Sequence, residues 1–158
     1  MTTLTRLYRF SASHRLHSAE LSAAGNQRLY GKCNNPFGHG HDYVLEVTAS
    51  GSIDSVTGRI LPVPTLDRLV AEKILPLFAN RNINLDIAEF ANRVPTTENV
   101  TLFIAALLDQ HWAAYFDTGS VRLARVHIQE TGRNGFEVLV PAAADRRASQ
   151  PHLENVHA

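Results

Sequence analysis

One cysteine is all that 158 residues contain, so an internal disulfide is excluded and the fold must be held by its own core. No apolar run approaches the roughly 20 residues that a membrane helix needs. The N-terminal stretch, with Thr2, Thr3 and Thr5, also lacks the apolar segment of a secretory signal. No membrane association is therefore expected, and a cytoplasmic location, which keeps Cys33 reduced, is the default. Charge of one sign is not in excess either. Lys plus Arg and Asp plus Glu stand at 15 each, so no global field draws nucleic acid, and any anion has to be bound locally. A glycine-rich nucleotide loop, internal repeats and low-complexity tracts are absent. What remains, 44% hydrophobic and 19% charged residues, is the composition of a globular chain long enough for one domain.

The patterning predicts the order strand, strand, helix, helix, strand, strand. Leu4 to Ser13 reads as a first strand, with His14 immediately after it, and Arg15 to Tyr30 as a long loop around Gly25-Asn26. Tyr43, Leu45, Val47 and Ala49 alternate with Val44, Glu46 and Thr48 in a second strand that puts His39 and His41 on the Tyr43 parity. A first amphipathic helix carries Leu66, Leu69, Val70, Ile74, Leu77 and Phe78, with Thr65 available as its N-cap and Pro76 expected to kink or shorten it. Pro95-Thr96-Thr97-Glu98 opens a second helix with its stripe on Val100, Phe103, Ile104, Leu107 and Leu108. From Val121 to Thr131 period two returns, Ala124, Val126 and Ile128 on one face and Val121 and Leu123 on the other. Asn134-Gly135 then predicts a hairpin to a last strand, Phe136 to Val140. The expected domain is residues 1–140, and residues 141–158, without periodicity, read as a mobile tail.

The chemistry concentrates between Gly31 and Tyr43, Gly-Lys-Cys-Asn-Asn-Pro-Phe-Gly-His-Gly-His-Asp-Tyr. Histidines at i and i+2 of a strand project to one face, where two imidazoles can converge on one ion. With His14 they make three neutral nitrogens and an open fourth position, the donor set of a catalytic zinc. The competing reading is a surface turn with solvated histidines. Cys33 is either a small buried hydrophobe or, beside Lys32 and a dication, a thiol shifted toward its thiolate. Glu130 ends an apolar face, so its carboxylate lies at the solvent rim or reaches into a pocket.

Phe10-Ser11-Ala12-Ser13-His14, Gly31 to Tyr43, Pro95-Thr96-Thr97-Glu98-Asn99 and Glu130-Thr131 together resemble the 6-pyruvoyltetrahydropterin synthase family, which also includes the bacterial 6-carboxytetrahydropterin synthases. The resemblance spans about residues 4 to 140, and the Cys-Asn-Asn-Pro spacing is similar to the pyruvoyl-forming branch. It implies an α+β tunnelling fold, a ββααββ subunit whose antiparallel sheet carries two helices on one face, assembled as a homohexamer (a dimer of trimers) with active sites at subunit boundaries. Zinc on His14, His39 and His41 is implied, with a pterin ring anchored by Glu130 and helped by Thr96, Thr97 and Glu98. The implied reaction is triphosphate elimination from 7,8-dihydroneopterin triphosphate to a 6-substituted tetrahydropterin, in tetrahydrobiopterin biosynthesis, with Cys33 as base. Lys32, Arg15, Arg28 and Arg81 are candidates for the triphosphate.

The sequence departs from the family pattern where an Asp-His pair follows the first helix: Ala79 and Asn80 stand there. Alanine orients nothing, and asparagine does not exchange a proton near neutral pH. Phe37 and Asp42 each replace a usual asparagine. Three functions therefore stay open. The first is a family lyase with a second base such as His17 or His127, the second a 6-carboxytetrahydropterin-type or side-chain-cleaving reaction, and the third a non-catalytic zinc-containing pterin-binding protein.

Overall fold

The computed structural model describes residues 2–142; most of the expected tail, residues 143–158, lies outside the described residues. In chain order the elements are β1 (Thr2–His14), α1 (Ala23–Tyr30), β2 (His39–Gly51), α2 (Val63–Lys73), α3 (Leu75–Phe78), β3 (Arg81–Asn82), α4 (Ile83–Asp86), α5 (Thr97–Tyr115), β4 (Val121–Thr131) and β5 (Asn134–Leu139), with 3₁₀ turns at Gly31–Asn34 and Ala88–Phe90. The sheet runs β3-β1-β2-β4-β5. Neighbours pair antiparallel except β3, which joins β1 in parallel at Ala12 and Ser13. The predicted α+β architecture is therefore present, with a fifth, two-residue strand added at one edge.

One face of the sheet is the core face. Phe10, Ala12, Tyr43, Leu45 and Val47 alternate inward along β1 and β2 and are buried, as period two requires. α5 packs over β4 and β5, and α2 packs against α5. Leu66, Leu69, Val70, Ile74 and Phe78 from the first helical pattern are wholly buried, whereas Leu77 is exposed. Burying each such side chain contributes about 1.5–3 kcal/mol. From the second pattern Val100, Ile104 and Leu108 are wholly buried, while Phe103 and Leu107 pack against the core from a half-buried position.

Several expectations need correction. α2 starts at Val63 on Pro62, not on Thr65, because Pro64 in the first turn fixes φ and lacks an N–H that would have no acceptor there. The shortening expected at Pro76 is present: Lys73 ends α2, and α3 follows as a separate turn with Pro76 at its start. In β4, Val121, Leu123, Val126 and Ile128 all enter the core. Thr48 pairs with Arg125 but Ala49 pairs with Leu123, so a bulge at Ala124 switches the parity in mid-strand. The loop expected over Arg15 to Tyr30 contains α1, capped by Ser22 Oγ accepting from Gly25 N at 3.1 Å. The buried residue of α1 is Asn26. Its amide donates to the Ser18 carbonyl at 2.8 Å while its Oδ1 accepts from Ser18 N at 2.8 Å, fastening the helix to the preceding loop.

Candidate metal centre

The ends of β1 and β2 bring the three histidines together. His14 is the direct cross-strand partner of His39, and Ala12 is that of His41. Because β2 begins at His39, His39, His41 and Tyr43 share the core face with His14. The turn before His39 needs glycine. Gly38 has a φ of +70°, and a Cβ there would lie 2.9 Å from the His14 carbonyl oxygen. Gly38 N donates to the Asn35 carbonyl at 2.9 Å and so closes the turn.

One ligand nitrogen from each of His14, His39 and His41 lies within 4.8 Å of the others. The rings meet edge to face at centroid separations of 5.0, 5.0 and 4.6 Å. Among the described residues, His14 Nε2, His39 Nδ1 and His41 Nε2 are buried without a hydrogen-bond partner. The tautomer of His14 follows from its other nitrogen: Nδ1–H donates to the Pro95 carbonyl at 2.9 Å, which leaves Nε2 as a lone-pair donor. Burial pushes the His14 and His39 imidazoles below their ordinary value, for His14 against an opposing pull from the Pro95 hydrogen bond. Converging and otherwise unsatisfied nitrogens cost free energy when buried. A dication satisfies all three at once, and an all-imidazole set with room for a fourth donor fits zinc.

Glu130 enters this centre from β4. Gln129 pairs with Gly135 and Thr131 with Asn134, so Glu130 is the extra residue of a second bulge. Its carboxylate turns inward toward the histidines and away from the solvent rim, with 9% of the side chain exposed. Oε1 lies 3.6 Å from His14 Nε2 and 3.9 Å from His41 Nε2, and Tyr43 Oη donates to it at 3.5 Å. Oε2 accepts from Asn134 Nδ2 at 3.0 Å, and the same amide reaches Thr97 Oγ1 at 3.4 Å. Burial first, and then the Glu130 carboxylate, raise the Tyr43 hydroxyl well above its ordinary range.

Cys33 sits half-buried in the 3₁₀ turn, with its carbonyl accepting from Leu16 N at 2.8 Å. Burial pushes its thiol up, and the Glu130 charge adds to the rise, opposite to the lowering expected from Lys32. Thr97 joins the Glu130 network through Asn134. Thr96 Oγ1 caps α5 by accepting from Asn99 N at 3.3 Å, and Glu98 is exposed in the first turn.

The four cationic candidates separate. Arg15 and Lys32 line one cleft of about 740 Å³ that also includes His39. Arg81 lines another of about 550 Å³ with Ser11, Asp42 and Asn80, and Arg28 belongs to the last turn of α1. Of the two candidate second bases, His17 Nδ1 lies 2.9 Å from Asn34 Oδ1, next to Cys33 in sequence. His127 instead faces Glu46 across β2 and β4, 3.6 Å away. Asn80 adopts a φ of +58° and donates its N–H to the Ser11 carbonyl at 2.7 Å. The pattern reading missed Tyr43, Asn134 and Pro95 as members of the site. Tyr43 had a signal, its parity with His39 and His41; Asn134 read as a turn residue, and Pro95 acts through a carbonyl that carries no sequence signature. Among the described residues, no helix is long and apolar enough to cross a membrane.

The sequence model of the family described as 6-pyruvoyl tetrahydropterin synthase matches residues 3–139. The 6-pyruvoyl tetrahydrobiopterin synthase of Poecilia reticulata is 46% identical over 101 residues, 64% of this chain and 69% of that protein. That of Dictyostelium discoideum is 37% identical over 131 residues, 83% of this chain and 90% of that protein. Among solved structures, 6-pyruvoyl tetrahydropterin synthase of Caenorhabditis elegans superposes with a TM-score of 0.79 at 34% identity, covering 89% of this chain and 96% of that one.

Proposed function

The chain belongs to the 6-pyruvoyl tetrahydropterin synthase family, and from that premise we propose that it is a zinc-dependent lyase that eliminates triphosphate from 7,8-dihydroneopterin triphosphate. The observation that carries this reading is the convergence of three partnerless buried imidazole nitrogens beside a carboxylate. His14, His39 and His41 hold the zinc, and the ion supplies Lewis acidity toward the hydroxyls of the substrate side chain. Glu130 takes the pterin ring: a carboxylate with both oxygens oriented, one by Asn134 and one by Tyr43, accepts two parallel N–H bonds from a 2-amino-4-oxo ring edge. Arg15 and Lys32 hold the triphosphate in the cleft they share with His39. Cys33, in the adjoining turn, receives the side-chain carbon proton. A nearby dication would oppose the rise that burial gives its thiol. Among the described residues, β5 and the part of β1 beyond β3 are unpaired sheet edges, which supports the homohexameric assembly.

A second reading, a pterin-binding protein without turnover, is favoured by one observation. Ala79 and Asn80 occupy the Asp-His positions, and Asn80, at a positive φ, is tied to Ser11 of β1 by its backbone. Retention of Cys33 favours the enzyme. Incubation with 7,8-dihydroneopterin triphosphate, with identification of released triphosphate and the pterin product, separates them. Triphosphate and a tetrahydropterin are expected; tight binding with no product at high enzyme would overturn the lyase and leave the binder.

A further inference from the structure

Glu130 has two partners within reach and cannot serve both fully. Its Oε2 is held by Asn134 at 3.0 Å, while Oε1 stands on the His14–His41 side of the cluster, 3.6 Å from one free nitrogen and 3.9 Å from the other. Donors at about 2.0–2.2 Å from a tetrahedral zinc lie roughly 3.3–3.6 Å from one another. Oε1 is therefore at the edge of the separation that a fourth ligand beside His14 and His41 would have, and a rotation about the Oε2–Asn134 contact closes the gap. The backbone favours this arrangement. Glu130 is the unpaired bulge residue, so no cross-strand register holds its side chain along the sheet. The bidentate grip on a pterin edge needs both oxygens at once, Oε1 included.

Resting on the zinc and pterin reading above, we propose that Glu130 is the resting fourth ligand of the metal, and that the 2-amino-4-oxo edge of a pterin releases it by engaging both carboxylate oxygens. The ring then acts as the key to its own side-chain chemistry. The metal stays closed to free anions and to phosphorylated polyols that lack the ring, and opens only once the correct ring is seated. Tyr43 Oη, 3.5 Å from both Glu130 Oε1 and His14 Nδ1, remains within reach of the carboxylate in either position.

The test uses the full chain loaded with cobalt(II), whose visible absorption reports its ligands, with azide as the anion and unsubstituted pterin, which carries the ring edge but no side-chain hydroxyl to occupy the metal, as the ring. In the wild-type chain azide is expected to leave the bands unchanged, pterin to shift them, and azide to perturb them only with pterin present. Glu130→Gln is expected to bind azide without pterin at least about tenfold more tightly than wild type, the factor for a position blocked nine-tenths of the time. Azide binding to wild type alone, with the same affinity as to wild type plus pterin, would overturn the proposal, and that comparison stands even if the variant fails to fold. Full cobalt retention by His39→Ala would overturn the metal assignment itself, a different failure that the azide titration does not share.

Discussion

The Nδ1–H of His14 donates to the carbonyl oxygen of Pro95 at 2.9 Å. That one bond joins the end of β1 to the residue before the N-cap of α5, and it fixes which nitrogen of His14 is left to bind a cation. The same entry to α5 carries Thr97, which meets Asn134 and through it Glu130. The histidine centre and the carboxylate are thus positioned against one helix terminus, and disturbing one ligand is expected to disturb the centre as a unit.

Metal content is the direct measure. We expect one zinc per chain in protein purified without chelator, falling to near zero in His39→Ala. His17→Ala, which removes a ring in contact with Asn34 and Arg15, is expected to keep full zinc. Elemental analysis of the three proteins decides it, and full zinc in His39→Ala would refute the assignment of the centre.

Gly38→Ala tests the turn that delivers His39. The backbone there has a φ of +70°, and the added Cβ would meet the His14 carbonyl oxygen at 2.9 Å. Residues forced into sparsely populated backbone regions cost about 1–3 kcal/mol each, and relief of the contact moves His14 away from His39. We expect a lower urea midpoint together with weaker zinc binding in titration. A variant that lost stability but bound zinc as tightly as wild type would show that the turn supports the fold and not the centre.

Burial keeps the His14 and His39 imidazoles below the ordinary value of 6.5. In chelator-treated protein the unfolded chain therefore binds protons at these positions before the folded chain does. Stability is expected to be flat above about pH 6.5 and to fall as the pH drops from there toward the lowered values. Thermal melts in EDTA at pH 7.5 and 5.5 measure it, with His14→Gln expected to lose part of the difference. A melting temperature that rose on acidification would contradict the buried neutral state.

Why some of this was legible in the sequence follows from the particular residues. His39 and His41 could be placed because a strand fixes i and i+2 on one face, and Tyr43 and Leu45 continue that face into the core. Glu130 could be located but not aimed, since its direction depends on a bulge opposite Gly135 and Asn134. The parity of β4 failed for the same reason at Ala124: period-two reading assumes an unbroken ladder, and one extra small residue reverses every side chain beyond it. α1 was invisible because its buried member is Asn26, a polar residue held by four hydrogen bonds, so no apolar period marks it. The match at Pro95 to Asn99 placed the start of α5, yet the Pro95 carbonyl that holds His14 belongs to the backbone and is disclosed only by the fold.

Restoring the missing pair at positions 79 and 80 is the most demanding prediction. The backbone at Asn80 is left-handed at a φ of +58°, a conformation that histidine visits more readily than most side chains, so Asn80→His should fold without large strain. Ala79 is half-buried and packs against the core, which makes Ala79→Asp the costlier change and argues for making Asn80→His first. The Asn80 amide bond to the Ser11 carbonyl uses the backbone and survives either substitution. A general acid or base typically contributes about 10²- to 10⁴-fold. The double variant is expected to raise pyruvoyl-forming turnover toward that range without changing zinc content, measured by product formation at saturating substrate. A folded, zinc-loaded double variant with no gain would mean that these two residues are not what limits the reaction, and that the pocket around Cys33 and Glu130 has been adapted to a different step.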